Sequence, residues 1–292
     1  MERSQIASAA ENFTAVSDFN RISPQEAINA DCIGLRIYEA PLIACAAADD
    51  QLFIRLQEPG VIGEHFMPPN AWLPEARSVI TFFFPYSKAI KQSNARDFVW
   101  PAAEWLHGRI EGQRFLNEWT AGLKKQLEAE GYASAVPATD PRFHLVATKE
   151  KPSEVREYTE YSSNWSERHV AFISGLGTFG LSRGLITSQG MCGRFCSIIT
   201  ALELTPTPRP YTAVYEYCNM CGACIKNCPA SAISLEKGKD HVPCSSFLNT
   251  VKEKQRPYYG CGKCQVQVPC ESRIPKKPET PKEVLVQYKI GV

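Results

Sequence analysis

Four cysteines stand within "YCNMCGACIKNCPAS" (residues 217–231): Cys218, Cys221, Cys224 and Cys228, the last followed by Pro229. A second group follows at Cys244, Cys261, Cys264 and Cys270. These eight belong to a total of twelve, with Cys192 and Cys196 just ahead of them. The chain is 44% hydrophobic and can bury a core without crosslinks. Thiols clustered in such a chain point to metal ligation in reducing surroundings rather than to a disulfide framework.

The first group reads C-x2-C-x2-C-x3-C-P, the bacterial ferredoxin run, in which three close cysteines wrap one four-iron cluster and the fourth serves the other cluster of a pair. Crossed ligation assigns Cys218, Cys221, Cys224 and Cys270 to one 4Fe-4S cluster, and Cys228, Cys244, Cys261 and Cys264 to the other. Two zinc ribbons are the alternative. They have no use for a third cysteine two residues on, nor for the Cys-Pro. One spacing departs from the run: "CGKCQVQVPC" is C-x2-C-x5-C, where a ferredoxin has x3 in the last interval.

A pair of clusters is an electron wire, and the roughly 200 residues ahead of it are expected to house an acceptor. "LPEARSVITFFFPY" (73–86) reads as a turn and a buried strand. From Pro101 to Gly131 a helical pattern places Leu116, Trp119, Leu123 and Leu127 on one face, with Gly108 and Gly112 expected to break it in two. A glycine-rich stretch, "GLGTFGLSRGLITSQGMCGRF" (175–195), leads into the strand-like "CSIITALEL". "TPTPRP" then reads as an extended connector. The expected organisation is an α+β domain over 1–205, a double-cluster domain over 206–275 and a tail over 276–292.

"SERHVAFISGLGTFGLSRGLITSQGMCGRFCSIITALEL", the cysteine run and "YYGCGKCQ" together resemble epoxyqueuosine reductase and, more distantly, the reductive dehalogenases. "LPEARSVI" matches the start of a strand in the same family, so the resemblance spans roughly residues 73–270. It implies a nitroreductase-like α+β domain with cobalamin bound base-off beside one cluster, followed by the bacterial ferredoxin-like double-cluster domain. On that reading Gly175, Gly177, Gly180 and Gly190, with Leu185 and Ile186, lie against the corrin or its nucleotide tail, because glycines let backbone amides approach a large flat ligand. The implied chemistry is reductive, driven through clusters whose potentials reach about −700 mV.

The same resemblance calls for a proton donor. Where epoxyqueuosine reductases carry "GRDYH", this chain has "HGRIEGQRF", which puts Glu111 at the acid's place, four residues from His107 and on the same helical face. "REYTEYSSNW" offers Tyr158 and Tyr161 as pocket-lining donors. His65 and Met67 in "GEHFMPP" could touch a metal, and Cys192 and Cys196 read as two packed thiols. The altered acid stretch and a net charge of +1 argue against tRNA as substrate. The expected partners are a low-potential donor such as a ferredoxin or flavodoxin, a small-molecule or modified-base substrate, and a corrinoid protein if the chain is a reductive activator. No stretch approaches the roughly 18 apolar residues of a membrane span, and the N-terminus has no signal-peptide core, so the reading is cytoplasmic.

Overall fold

The computed structural model describes residues 1–147 and 161–276. In chain order the elements are α1 (Arg3–Val16), β1 (Leu42–Ala47), α2 (Gln51–Arg55), α3 (Pro69–Trp72), β2 (Ser78–Pro85), α4 (Lys88–Asn94), α5 (Ala103–Ala129), β3 (Ser134–Ala135), β4 (Leu145–Ala147), β5 (Tyr161–Ser163) and α6 (Glu167–Ile173). Then come β6 (Gly177–Phe179), β7 (Leu185–Thr187), β8 (Gly193–Thr200), α7 (Ala223–Lys226), β9 (Ile233–Ser234), β10 (Gly238–Lys239) and α8 (His241–Gln255).

All eight residues of β2, "SVITFFFP", are buried, as an unbroken apolar run demands of a central strand covered on both faces. It pairs antiparallel with β1 (Leu42↔Phe83) and with β8 (Phe83↔Phe195), and the sheet order is β1-β2-β8-β3. Strand alternation then separates two cores. Ile80, Phe82 and Phe84 face Phe115, Leu116, Trp119 and Leu123 of α5, while Val79 and Phe83 face Trp165, Val170 and Phe172 around α6. The result is a helix–sheet–helix sandwich of mixed α and β structure.

α5 corrects one expectation. It runs unbroken for 27 residues, about 40 Å at 1.5 Å per residue. Gly108 and Gly112 lie inside it, where tyrosines come too close for a side chain: a Cβ on Gly108 would sit 2.8 Å from Tyr86, and one on Gly112 2.5 Å from the Tyr38 hydroxyl. The two rings stack with centroids 5.5 Å apart, so the glycines admit them rather than break the helix.

Residues 205–210 form an extended connector without regular structure, as their prolines require. It does not hang free. Thr207 N–H donates to the Cys45 carbonyl at 2.8 Å and its Oγ1 accepts from Cys45 N–H at 3.0 Å, which lays the connector along the outer edge of β1. Beyond it, short elements and loops carry the cysteine groups around a small core of Ile186, Met191 and Val268.

Candidate iron-sulfur site

The loop entering α7 presents Cys218, Cys221 and Cys224, and the loop after residue 265 brings Cys270 to them. The four thiols line a small open pocket that Gly180, Leu181 and Val268 also wall. Burial pushes the thiols of Cys224 and Cys270 up to about 12 and raises that of Cys218. At Cys218 the backbone N–H groups of Leu181 and Met220 oppose this by stabilising the thiolate. Thiols held protonated by burial must release protons to ligate a metal, which couples cluster binding to pH.

The glycine-rich stretch is the scaffold of this cradle. β6 and β7 form a hairpin, Thr178 Oγ1 accepts from Tyr217 N–H at 2.8 Å, and Met191 N–H donates to the Cys270 carbonyl at 2.9 Å. Gly190, at φ +79°, sits so close to the next loop that a Cβ would be 2.4 Å from the Glu271 oxygen. The Cβ direction of Gly177 meets the Ile186 carbonyl at 2.0 Å and that of Gly175 meets Pro208 at 3.1 Å, while Leu185 and Ile186 are fully enclosed. The packing of these residues against their own chain accounts for their type.

The second cradle gathers Cys228 beyond α7, Cys244 in α8, and Cys261 and Cys264 in the following loop. Cys261 is pushed up to about 12 by burial, with the charges of Cys264, Cys244 and Cys228 adding to the rise. Cys264 is raised by burial and by Cys244 and Cys228, while Lys239 and Arg168 draw it back. The charge of Cys264 also acts on Cys224 and Cys270. Lys263 pins this loop: its buried ammonium donates to the backbone oxygens of Asn94 at 2.7 Å and Asp97 at 2.8 Å. Asn94 Nδ2 in turn donates to the Cys261 carbonyl at 2.9 Å.

Among the described residues, no three His, Cys, Asp or Glu side chains close on one point as the ligands of a single ion would.

Near the second cysteine group several cationic side chains of α5, α6 and β8 gather. Arg168, exposed to solvent on α6 though crowded by the chain around it, lies within electrostatic reach of Arg109, Arg194, Cys264 and Cys244; the crowding and the neighbouring arginines lower its pKa. His169 is driven down to about 3 by burial and by Arg168 and Arg183. Arg109 lies 4.7 Å from the centre of the Tyr259 ring, and Arg194 has a buried Nε with no hydrogen-bond partner. Glu167 is the acid of this region. Burial lifts its carboxyl to about 7 although Ser197, Trp165 and Arg194 pull it down, and neither oxygen makes a well-formed hydrogen bond. Sequence reasoning missed Glu167, Arg168, Arg194 and Lys239; the one visible signal was Arg194, a charge inside the apolar strand "GRFCSIIT".

His107 and Glu111 form the expected acid–imidazole pair, Nδ1 to Oε2 at 2.8 Å, both on the buried face of α5. His107 Nε2 accepts from Ile28 N–H at 3.0 Å, so Nδ1 carries the proton and donates to the carboxylate. Tyr258 lies 3.3 Å from the other Glu111 oxygen and 3.0 Å from the Glu26 carbonyl, so the pair joins the N-terminal segment, α5 and the loop before Cys261. Tyr158 lies outside the described residues, and Tyr161 is placed only as the first residue of β5. His65 Nε2 meets the Ser162 hydroxyl at 2.6 Å and Met67 Sδ accepts from Asn164 at 3.3 Å, both away from the cysteine groups. Cys192 and Cys196 are buried thiols of the core beneath α5, and none of the twelve cysteines forms a disulfide.

A 4Fe-4S binding domain is matched over residues 211–234. The tetrachloroethene reductive dehalogenase of Desulfitobacterium hafniense is 41% identical over 69 residues, 23% of this chain and 12% of that protein. An epoxyqueuosine reductase of Francisella cf. novicida (strain Fx1) is 32% identical over 120 residues, 37% of this chain and 33% of that one. The chain thus spans a third or less of the curated relatives that it matches. A solved reductive dehalogenase, described with a mechanism for B12-dependent dehalogenation, shares the fold at a TM-score of 0.52 and 15% identity, over 79% of this chain and 30% of its own. The chain is therefore a relative of the reductive dehalogenases and the epoxyqueuosine reductases that carries a 4Fe-4S binding domain.

Proposed function

We propose that this protein is a cobalamin-dependent iron-sulfur reductase in which two 4Fe-4S clusters feed a corrinoid bound among the cations near the second cysteine group. What supports the reading is the cysteine run of the matched 4Fe-4S binding domain, a second cysteine group beyond it, and the cations Arg109, Arg168 and Arg194 near that second group. In this reading residues 1–205 form a nitroreductase-like domain, 206–275 the double-cluster domain and 276–292 a tail, and the protein works in the reducing cytoplasm.

The donor set around these cations fits such a cofactor. Arg168, Arg194 and Arg109 offer charge and an orphaned N–H to the phosphate and amide groups of a corrinoid, with the Tyr259 ring beside them. When bound base-off, cobalamin supplies low-potential two-electron chemistry that no side chain can perform. The chain's own part is to carry charge and protons. In this reading Cys264, whose charge acts on Cys224 as well as being acted on by Cys244 and Cys228, lies on the path from one cluster to the other. Glu167, with a carboxyl near 7, is about half protonated at neutral pH and so can both donate and accept a proton. The His107–Glu111 pair is already committed to Ile28 and Tyr258, which favours a positioning role for it.

The substrate is a small molecule or modified base other than epoxyqueuosine in tRNA, because the substrate-facing "GRDYH" of those enzymes stands here as "GRIEG". Pocket groups left unpaired by a wrong substrate cost it several-fold to many-fold in discrimination. A low-potential ferredoxin or flavodoxin is the donor. A second reading, an electron carrier that reduces a partner's corrinoid, is favoured by the protein packing that fills the Cβ direction at Gly175, Gly177 and Gly190.

Anaerobic reconstitution should give roughly eight iron and eight sulfide per chain. Cob(II)alamin mixed with that protein should show a base-off paramagnetic resonance signal and co-elute on gel filtration. Cobalamin that separates at micromolar concentration transfers the case to the carrier reading. Rapid conversion of epoxyqueuosine-containing tRNA would refute the substrate assignment.

A further inference from the structure

The loop between α4 and α5 turns apolar side chains to solvent: Phe98 is 74% exposed and Val99 43%. Its shape is fixed from within, because Asp97 Oδ1 accepts from the N–H groups of Val99 and Trp100 at 2.6 Å each, which also engages that acid with its own backbone. Trp100 stacks on Phe247 of α8 with ring centroids 5.8 Å apart, and Lys254 Nζ stands 4.0 Å from the centre of the Trp100 ring. Cys244, Phe247, Val251 and Lys254 recur at steps of three and four, so they share one face of α8, and Trp100 leans on the face that carries a thiol of the second group. A further tie runs through the backbone. Lys263, between Cys261 and Cys264, donates to the carbonyls of Asn94 at 2.7 Å and Asp97 at 2.8 Å, and Asn94 Nδ2 donates to the Cys261 carbonyl. The exposed loop is thus tied to the segments that carry Cys244, Cys261 and Cys264.

We propose that residues 96–100 and the C-terminal half of α8 form the docking surface for a small acidic electron carrier of the ferredoxin class, which passes its electron to the second cluster past the Trp100 edge. Phe98 and Val99 are the apolar centre. Arg96 is exposed beside them, and the end of α8 presents Lys252, Lys254 and Arg256 against Glu253 alone. With Asp97 engaged by its own loop, the local balance is positive in a chain whose net charge is only +1. An apolar centre with cations around it suits an acidic partner, whose charge steers the encounter while the aromatic contact holds it. Electron-transfer encounters bury little surface, so a patch of this size suffices. The surroundings of the exposed Cys221 offer no such match, since among the described residues no charged side chain lines the pocket there. The transfer is of a single electron: the carrier is oxidised by one and the second cluster is reduced by one, with no bond made or broken.

This inference rests on the iron-sulfur reading above, and one experiment separates their failures. The full chain is reconstituted anaerobically, its iron is counted, and its affinity for a fluorescently labelled, acidic plant-type 2Fe-2S ferredoxin is measured at low and at raised salt. Binding should weaken as salt rises. Lys254→Glu should weaken it about ten-fold at low salt. Phe98→Ser, at a side chain too exposed to hold the fold, should weaken it about ten-fold at either salt. Lys226→Glu, which reverses an exposed cation beside the first group, should leave it unchanged. Reduction by dithionite, which needs no docking surface, should keep the wild-type rate in all three variants. Iron-loaded protein that does not bind the ferredoxin, binding indifferent to Lys254→Glu and Phe98→Ser, or equal weakening by Lys226→Glu overturns the docking proposal while the iron-sulfur reading stands. Sedimentation in which Phe98→Ser splits a dimer also overturns it, because the patch is then an interface between copies. A chain that takes up no iron overturns both.

Discussion

Glu167 places its acid where burial opposes the charge, and that has a measurable cost. Its folded pKa of about 7 lies above the unfolded value of 4.5. The folded state therefore binds the proton more tightly, and stability is lost as pH rises from 4.5 to 7. The shift corresponds to about 3 kcal/mol. Glu167→Gln should accordingly leave stability near pH 4 unchanged and raise it at pH 8 by up to that amount, as chemical denaturation at the two pH values will show. His107 makes the opposite case. Its removal leaves the buried Glu111 carboxylate without its imidazole, and His107→Ala should cost about 3 kcal/mol or more. Cobalamin binding, measured separately by its absorption, should survive that change if the pair is a positioning device.

α5 allows a test of sign within one helix. Ala is about 1 kcal/mol better than Gly in a helix interior. At Gly122, where nothing lies within 4 Å, Gly122→Ala should stabilise by roughly that amount. At Gly112 the Tyr38 hydroxyl stands 2.5 Å from the new Cβ, and Gly112→Ala should instead destabilise by about 1–3 kcal/mol. Thermal unfolding of both variants decides it. The pair also marks where the sequence was legible and where it was not. Periodicity gave the extent of α5 and its buried Leu and Trp stripe, and an eight-residue apolar run gave β2, since both are local patterns. That Gly108 and Gly112 receive tyrosines from β2's end and the loop before β1, rather than break the helix, depends on partners 22 and 74 residues away. The same holds for the site. The cysteine groups were plain from spacing, whereas the cationic group draws Arg109, Arg168, Arg194 and Lys239 from four separate elements. The glycine-rich stretch was legible as special, but its use as the wall of a thiol cradle was not. Gly190→Ala, which forces a Cβ into the Glu271 backbone at a positive φ, should therefore reduce the iron bound at the first cradle as well as stability.

On the scale of the whole molecule, stability is distributed unevenly. The sheet is filled on both faces by large side chains, while the cysteine-bearing part has a core of Ile186, Met191 and Val268. With so small a core, the latter is expected to need a bound cluster for order. Limited proteolysis of protein stripped of iron by chelator should cut first between residues 218 and 262, leaving the sheet and α5 intact, and iron reconstitution should restore resistance. No helix among the described residues is long and apolar enough to cross a membrane.

The connector's seat on β1 bears on how this chain behaves among copies of itself. A sheet edge with unpaired N–H and C=O groups is a template on which another chain can add a strand. Here one edge is β3, only two residues long, and the other is β1, whose Cys45 N–H and C=O are both taken by Thr207, itself held by Arg3 at 3.0 Å. The connector thus seals the sheet against recruitment of a neighbour. Thr207→Pro removes both the donor N–H and the hydroxyl, and should leave cluster content unchanged while light scattering rises with protein concentration.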